Sequence, residues 1–234
     1  MIRGGPRSAR DELAMLQSRL VEMAAVVEEA LRGATEALAR RDTAAARAVI
    51  DGDRQVDAIE LEIDEASIQL LALHQPVAGD LRLITTTMRI ASDLERIGDH
   101  AVNIAEAAIR LADHQSAPEY RELVEMARLA RGMVAEALDA FTREDPRTAR
   151  AVLLRDSEVD ALQASLFRVV LAHMMEESRR ITPGITLLLA GRNYERVADL
   201  ATNIAEDAVY FVEGRAIKHG GGLPAPAAPD TVPE

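Results

Sequence analysis

The chain has no cysteine and no tryptophan, only three phenylalanines and three tyrosines in 234 residues, and a single lysine, Lys218. Each shortage excludes something. Without cysteine there is no disulfide, no thiolate metal site and no cysteine nucleophile. With 3% aromatic residues the core must be built from Leu, Val, Ile, Ala and Met. Together with frequent Ala and Arg, that palette favours helix over strand. No apolar run approaches the ~18 residues of a membrane span, so no direct membrane insertion is expected. The opening "MIRGGPRSAR" is charged and does not read as a signal peptide, which makes the cytoplasm the expected address. The formal charge of −12 opposes nucleic-acid binding, because phosphates would repel the protein. The skew from Lys to Arg reads as the mark of a GC-rich genome and carries no functional weight.

What the chain does have is helical periodicity nearly throughout. Leu13, Leu16, Leu20, Met23, Val27, Leu31 and Leu38 keep a three-or-four spacing, which predicts a first helix over 11–40. Asp42 reads as the N-cap of a second helix to about Leu73, and "HQP" at 74–76 interrupts it. A third helix is predicted over 80–113, followed by a break at "HQSAP", 114–118. A fourth is predicted over 119–141. Asp145-Pro146 gives a cap and a first-turn proline for a fifth helix to about Ser178, and Thr182-Pro183 repeats the signal for a sixth ending near Gly214. The segment 215–234, rich in Gly, Pro and Ala without periodicity, reads as disordered.

The chain also repeats itself. "ERIGDHAVNIAE" at 95–106 returns as "ERVADLATNIAE" at 195–206, with eight of twelve positions identical, and "ARAVIDGDRQVDA" at 46–58 returns as "ARAVLLRDSEVDA" at 149–161. The expectation is therefore an all-α fold, a tandem repeat of two antiparallel three-helix bundles over 8–114 and 117–214.

On a helix each residue turns by about 100°, so Glu95, Asp99, Asn103 and Glu106 share one side within about 80° of one another. Ile97, Ala101, Ile104 and Ala108 occupy the other. Glu195, Asp199, Asn203 and Glu206 repeat the ladder. The second helix of each half adds a pair four residues apart, Asp53/Asp57 and Asp156/Asp160. In an antiparallel bundle such pairs can meet the E-x-x-x-D pairs. Carboxylates held together repel, and a hard cation with oxygen ligands would relieve the repulsion. The candidate metal ligands are thus Asp53, Asp57, Glu95, Asp99 and Asn103 in the first half, and Asp156, Asp160, Glu195, Asp199 and Asn203 in the second. Against this stands a plainer reading, in which acidic stripes are solvated faces and Arg96 and Arg196 neutralise neighbours as surface pairs. The recurrence of Asn at one rung of both copies favours the metal. The halves are unequal, because Glu60 and Asp64 extend the first stripe where the second half has Gln163 and Phe167. The second site should be less charged.

Other chemistries lack their residues. Histidines 74, 100, 114, 173 and 219 show no ligand spacing and no Glu-x-x-His signature of di-iron helices. His100 reads as a helix-surface histidine, and Met174 and Met175 as core. There is no Gly-rich phosphate loop and no Gly-x-Ser-x-Gly elbow, so no catalytic residue is assigned. A carboxylate-metal enzyme, an oxidase or phosphatase, remains the alternative, and a bundle merely stabilised by metal is a third.

The twin E-R-[IV]-[GA]-D-x-A-x-N-I-A-E stretches, the preceding D-x-x-x-D pairs and "QPVAGDLR" at 75–82 resemble the PhoU family over residues 8 to 214. "QPVAGDLR" has no twin, since the second half reads "SRRITPGITL" there. The resemblance implies tandem three-helix bundles in the bacterial cytoplasm. It implies paired [ED]-x-x-x-D motifs, here Asp53/Asp57 with Glu95/Asp99 and Asp156/Asp160 with Glu195/Asp199, that hold multinuclear metal clusters, iron or zinc first, with manganese or magnesium as alternatives. It further implies a negative regulator of phosphate uptake and of the phosphate-starvation regulon. Such a regulator joins the ATPase subunit of a phosphate ABC transporter to a sensor histidine kinase of the PhoR type. A homodimer is expected, since tandem bundles can pair along an apolar strip.

Overall fold

The computed structural model describes residues 8–114 and 118–217. The expected break at 114–118 and the expected disordered tail from 215 fall largely outside them. Seven α-helices and one 3-10 turn make up the described chain: α1 (Ala9–Arg40), α2 (Thr43–His74), α3 (Ala78–Leu111), α4 (Arg121–Thr142), α5 (Pro146–Leu153), α6 (Asp156–Glu176), the turn Ser178–Arg180 and α7 (Ile181–Glu213). The first half is α1–α3, an antiparallel three-helix bundle. The second is α4–α7, in which α5 and α6 together take the place of α2.

Local chemistry sets the ends. Ser8 and Asp11 form a capping box at α1, which satisfies two amides that have no partner inside the helix. Asp42 accepts from the amides of Ala44 and Ala45 and starts α2, as its sequence position requires. Asp145 does the same for α5 through Arg147 and Thr148, with Pro146 in the first turn. Gly214, at φ 67°, closes α7 in the left-handed conformation that glycine adopts without steric cost.

Two boundaries differ from the periodicity. The predicted fifth helix is broken at Leu154 and Arg155 into α5 and α6. No Gly or Pro marks the place, and Arg155 is drawn instead to Glu136 of α4, a tertiary contact that periodicity cannot register. The sixth predicted helix starts at Ile181, directly after the 3-10 turn, so Thr182 does not cap it and Pro183 lies inside its first turn. Proline is tolerated there because the first amides of a helix have no partner to lose.

The core follows the predicted stripes. Leu16, Leu20, Met23, Val27 and Leu31 of α1 are buried, as are Ile97, Ala101, Ile104 and Ala108 on the apolar back of α3. Met174 packs against the core, but Met175 is exposed. Consecutive helical residues point about 100° apart, so both could not face inward.

α3 and α7 form the central pair and join the halves. They run antiparallel: His100 lies opposite Asn193, Arg89 opposite Asp207, and Arg82 donates to the Phe211 carbonyl. Tyr194 of α7 crosses further, donating its hydroxyl to Thr35 of α1 at 3.1 Å.

Candidate functional site

The acidic ladders lie where α2 meets α3 and where α6 meets α7. In the first half, Gly98 brings the helices close: a methyl group there would sit 3.2 Å from Oδ1 of Asp53 and 3.4 Å from Val56. Asp53, Asp57 and Glu60 of α2 therefore face Glu95 and Asp99 of α3. Burial pushes the Glu95 carboxyl up, and the charges of Asp99, Asp57, Glu60 and Asp53 add to that rise. Asp53 is raised by burial, then by Asp57 and Asp99, and Glu60 by burial, then by Asp64 and Asp57. No cation enters as a cause for any of the three. The structure thus brings the four first-half carboxylates predicted as ligands into one electrostatic cluster, together with Glu60 and Asp64.

The second half assembles a smaller and neutralised version. Burial also raises the Glu195 carboxyl, as do Asp199 and Asp160, but Arg196 and Arg192 oppose them. Arg196 lies 3.2 Å from Asp199 and 3.9 Å from Glu195. Asp156 is the first residue of α6, where a carboxylate favours the positive end of the helix dipole.

The two asparagines are placed differently. Asn103 is exposed on α3. Asn203 is half-buried and donates to Asp93 of α3, so it serves the seam between the halves. Sequence reasoning did not single out that seam. Burial, opposed by Arg96, pushes the Asp93 carboxyl up to about 6, with Asp207 reinforcing the rise and Asn203 opposing it. Asp207 pairs with Arg89 at 3.1 Å, and His100 Nδ1 lies 2.9 Å from Asn193 Oδ1. The signal was available: Asp93 and Asn193 occupy equivalent positions of the repeat yet differ.

As donors, the carboxylates suit a hard cation in kind. They do not form a ready cage, because among the described residues no three His, Cys, Asp or Glu side chains converge as a metal site. Holding an ion would require rearrangement of these side chains. The large cavity, about 900 Å³, lies elsewhere, between α1 and α4, lined by Leu31, Thr35, Leu123, Leu187 and Tyr194 with Glu28 and Arg131 at hand. None of the ladder carboxylates lines it. Tyr194 is fully buried at its floor, and burial holds its hydroxyl up at about 12.

A family model described as the PhoU domain matches the chain twice, over residues 20–108 and 123–208. The phosphate-specific transport system accessory protein PhoU of Serratia marcescens is 37% identical over 211 residues, covering 90% of this chain and 87% of that protein. The PhoU homolog of Aquifex aeolicus is 39% identical over 208 residues, covering 89% and 94%. Among solved structures, PhoU from Pseudomonas aeruginosa superposes with a TM-score of 0.86 at 37% identity, covering 89% of this chain and all of that one. The phosphate transport system regulatory protein PhoU from Streptococcus pneumoniae gives 0.84 at 29% identity.

Proposed function

The chain belongs to the PhoU family, and from that premise we propose that it is an accessory regulator of phosphate transport that restrains uptake and the phosphate-starvation response when phosphate is plentiful. The observation that carries this reading is the double match. Both halves correspond to PhoU domains, and about nine-tenths of the chain aligns with proteins named as accessory or regulatory components of phosphate transport. In the proposed role it works in the cytoplasm as an adaptor, touching the ATPase subunit of a phosphate ABC transporter and a PhoR-type sensor histidine kinase. Long exposed helical faces are suited to such contacts, because a partner helix can lie along them.

The first-half carboxylates enter the proposal as a cation-collecting face. Asp53, Asp57, Glu95 and Asp99, with Glu60 beside them, concentrate negative charge that a bound cation would relieve. An all-oxygen donor set suits iron, manganese or magnesium better than zinc, which draws on His and Cys. Bound ions would supply charge neutralisation there and order the surface offered to a partner. Asp156, Asp160, Glu195 and Asp199 form the weaker second site.

The test is genetic and biochemical. Deleting the gene in its own host should leave phosphate-starvation genes expressed in high phosphate, and restoring the wild-type chain should silence them. Normal repression in the deletion strain would sink the proposal. Metal-dependent turnover of phosphoesters by the purified protein would favour the carboxylate-metal enzyme instead.

A further inference from the structure

α1 and α4 run antiparallel where the two halves meet. Near the start of α1, Leu20 and Ala24 share a small hollow with Leu138 and Phe141 of α4. Further along, the two helices leave between them the cavity of about 900 Å³, a volume within the range of small-molecule sites. Its floor is apolar: Leu31, Leu38, Leu111, Leu123 and Leu187 are buried there beside Tyr194. Glu28 and Arg41 stand at its two ends on α1, so at 1.5 Å per residue it runs for about 20 Å.

Two adjacent residues of α4 are arranged for an occupant. Gly132 lies mid-helix, where glycine is poorer than alanine, yet a methyl group built there would meet nothing within 4 Å. Packing does not demand this glycine, and its missing side chain keeps the cavity open. Arg131 beside it lines the same cavity. Of the other lining arginines, Arg32 is held by Glu29 and Glu36, Arg128 by Glu125, and Arg41 donates to the His114 carbonyl. Arg131 makes no hydrogen bond or ion pair among the described residues. Partial burial pushes the Glu28 carboxyl up, and Arg131 opposes the rise. It also opposes, after Thr35, the burial that raises Tyr194. The guanidinium is therefore felt both at the α1 wall and at the floor. In the register that equates the Asp42 and Asp145 caps, Arg131 and Gly132 correspond to Glu28 and Glu29, so the duplication dictates neither.

The occupant follows from these groups. A long leucine floor calls for an aliphatic body, and one uncommitted cation calls for a single negative charge. A nucleotide or polyphosphate would bring several charges against Glu28, Glu29 and Glu119 of the lining. The two lining tyrosines, both buried, also present little ring surface on which a base could stack. We propose that this groove binds a fatty acid, its chain along the leucine floor between α1 and α4 and its carboxylate on Arg131. Arginine suits that head, because its guanidinium can donate two parallel hydrogen bonds to one carboxylate. The inference stands on the cavity, Gly132 and Arg131, and does not rest on the phosphate reading.

Calorimetric titration of the lipid-stripped full chain with octanoate, decanoate and laurate tests it. Laurate should bind with a Kd of about 10 µM or below, and affinity should rise about fourfold per added methylene along the series. Gly132→Leu should weaken laurate binding at least about 30-fold by filling the cavity. Its melting temperature should hold, because the added side chain starts in open space. Arg131→Gln should weaken decanoate about tenfold and decanol less than about twofold, a split that a merely structural role would not produce. No saturation by laurate at about 1 mM, an unchanged Kd in Gly132→Leu, or decanol bound by the wild type as tightly as decanoate overturns the proposal. Capture of the chain by phosphatidylglycerol vesicles in preference to free laurate overturns it too, by making this face a membrane contact.

Discussion

Asp93 and Asn193 stand at the same rung of α3 and α7, and the difference between them sends an arginine in two directions. In the first half Arg96 reaches Asp93 at 3.5 Å and leaves Glu95 and Asp99 to their acidic neighbours on α2. In the second half Asn193 offers no charge, and Arg196 turns to Asp199 and Glu195. Two stretches that share eight of twelve residues therefore differ in charge balance: both raise their Glu carboxyl, but only the second has arginines opposing the rise. Whether a repeated motif is a charged site depends on which face its arginine is drawn to, and a residue just outside the motif decides that.

The contrast breaks most sharply under cation titration. Calorimetry with manganese should show that Glu95→Ala/Asp99→Ala lowers affinity at least about tenfold, while Glu195→Ala/Asp199→Ala changes it little. Equal losses would mean that the two clusters are equivalent despite Arg196. Next in size is packing. A methyl group at Gly191 would meet Leu166 at 2.6 Å and Gln163 at 2.8 Å, so Gly191→Ala should cost about 1–3 kcal/mol in urea unfolding. Gly98→Ala should cost less, yet shift cation affinity by crowding Asp53; the reverse ranking would contradict the helix spacings of the two halves. Smaller still is the arginine itself. Arg196→Ala should raise cation affinity of the second cluster roughly twofold to fivefold, and Asp93→Asn should lower that of the first by as much by releasing Arg96. Identical effects of Arg96→Ala and Arg196→Ala would remove the basis of the comparison.

The smallest effect concerns the caps. Hydrogen bonds from Thr148 and the amides of Arg147 and Thr148 hold the Asp145 carboxyl below the usual range. A depressed carboxyl contributes stability that is present above its unfolded pKa and lost as pH falls through the folded one. Asp145→Ala should therefore lower the melting temperature slightly at neutral pH and not at all in strong acid. A pH-independent difference would assign the loss to packing.

Much of this was legible in the chain. The α1 stripe from Leu16 to Leu31, the Asp42 and Asp145 caps and the duplicated ladders follow from spacing alone, because period and capping are local. The break at Leu154–Arg155 was not legible, since its partner Glu136 is on another helix. Nor was the role of Asn203: its rung places it beside Glu195 and Asp199, but its donor points across the seam to Asp93. Helical spacing gives an angle about one axis and cannot say which neighbouring helix that angle meets. Tyr194 stands just before the second ladder, at the position of buried Leu94, so its burial follows the repeat, but its partner Thr35 on α1 could not be read for the same reason.

The antiparallel pairing of α3 with α7 has one more consequence. Two separate identical bundles meeting through this helix would have to place the same residue on both sides of the two-fold, so an acid introduced at one rung would appear at both. Covalent linkage of the halves removes that restriction. Asp93 can then stand at one rung and Asn193 at its equivalent, and His100 can face Asn193 while Leu200 is buried. A single fused chain can therefore leave the carboxylates of one half to their acidic neighbours and set Arg196 against those of the other, which a symmetric pair of half-length chains could not do.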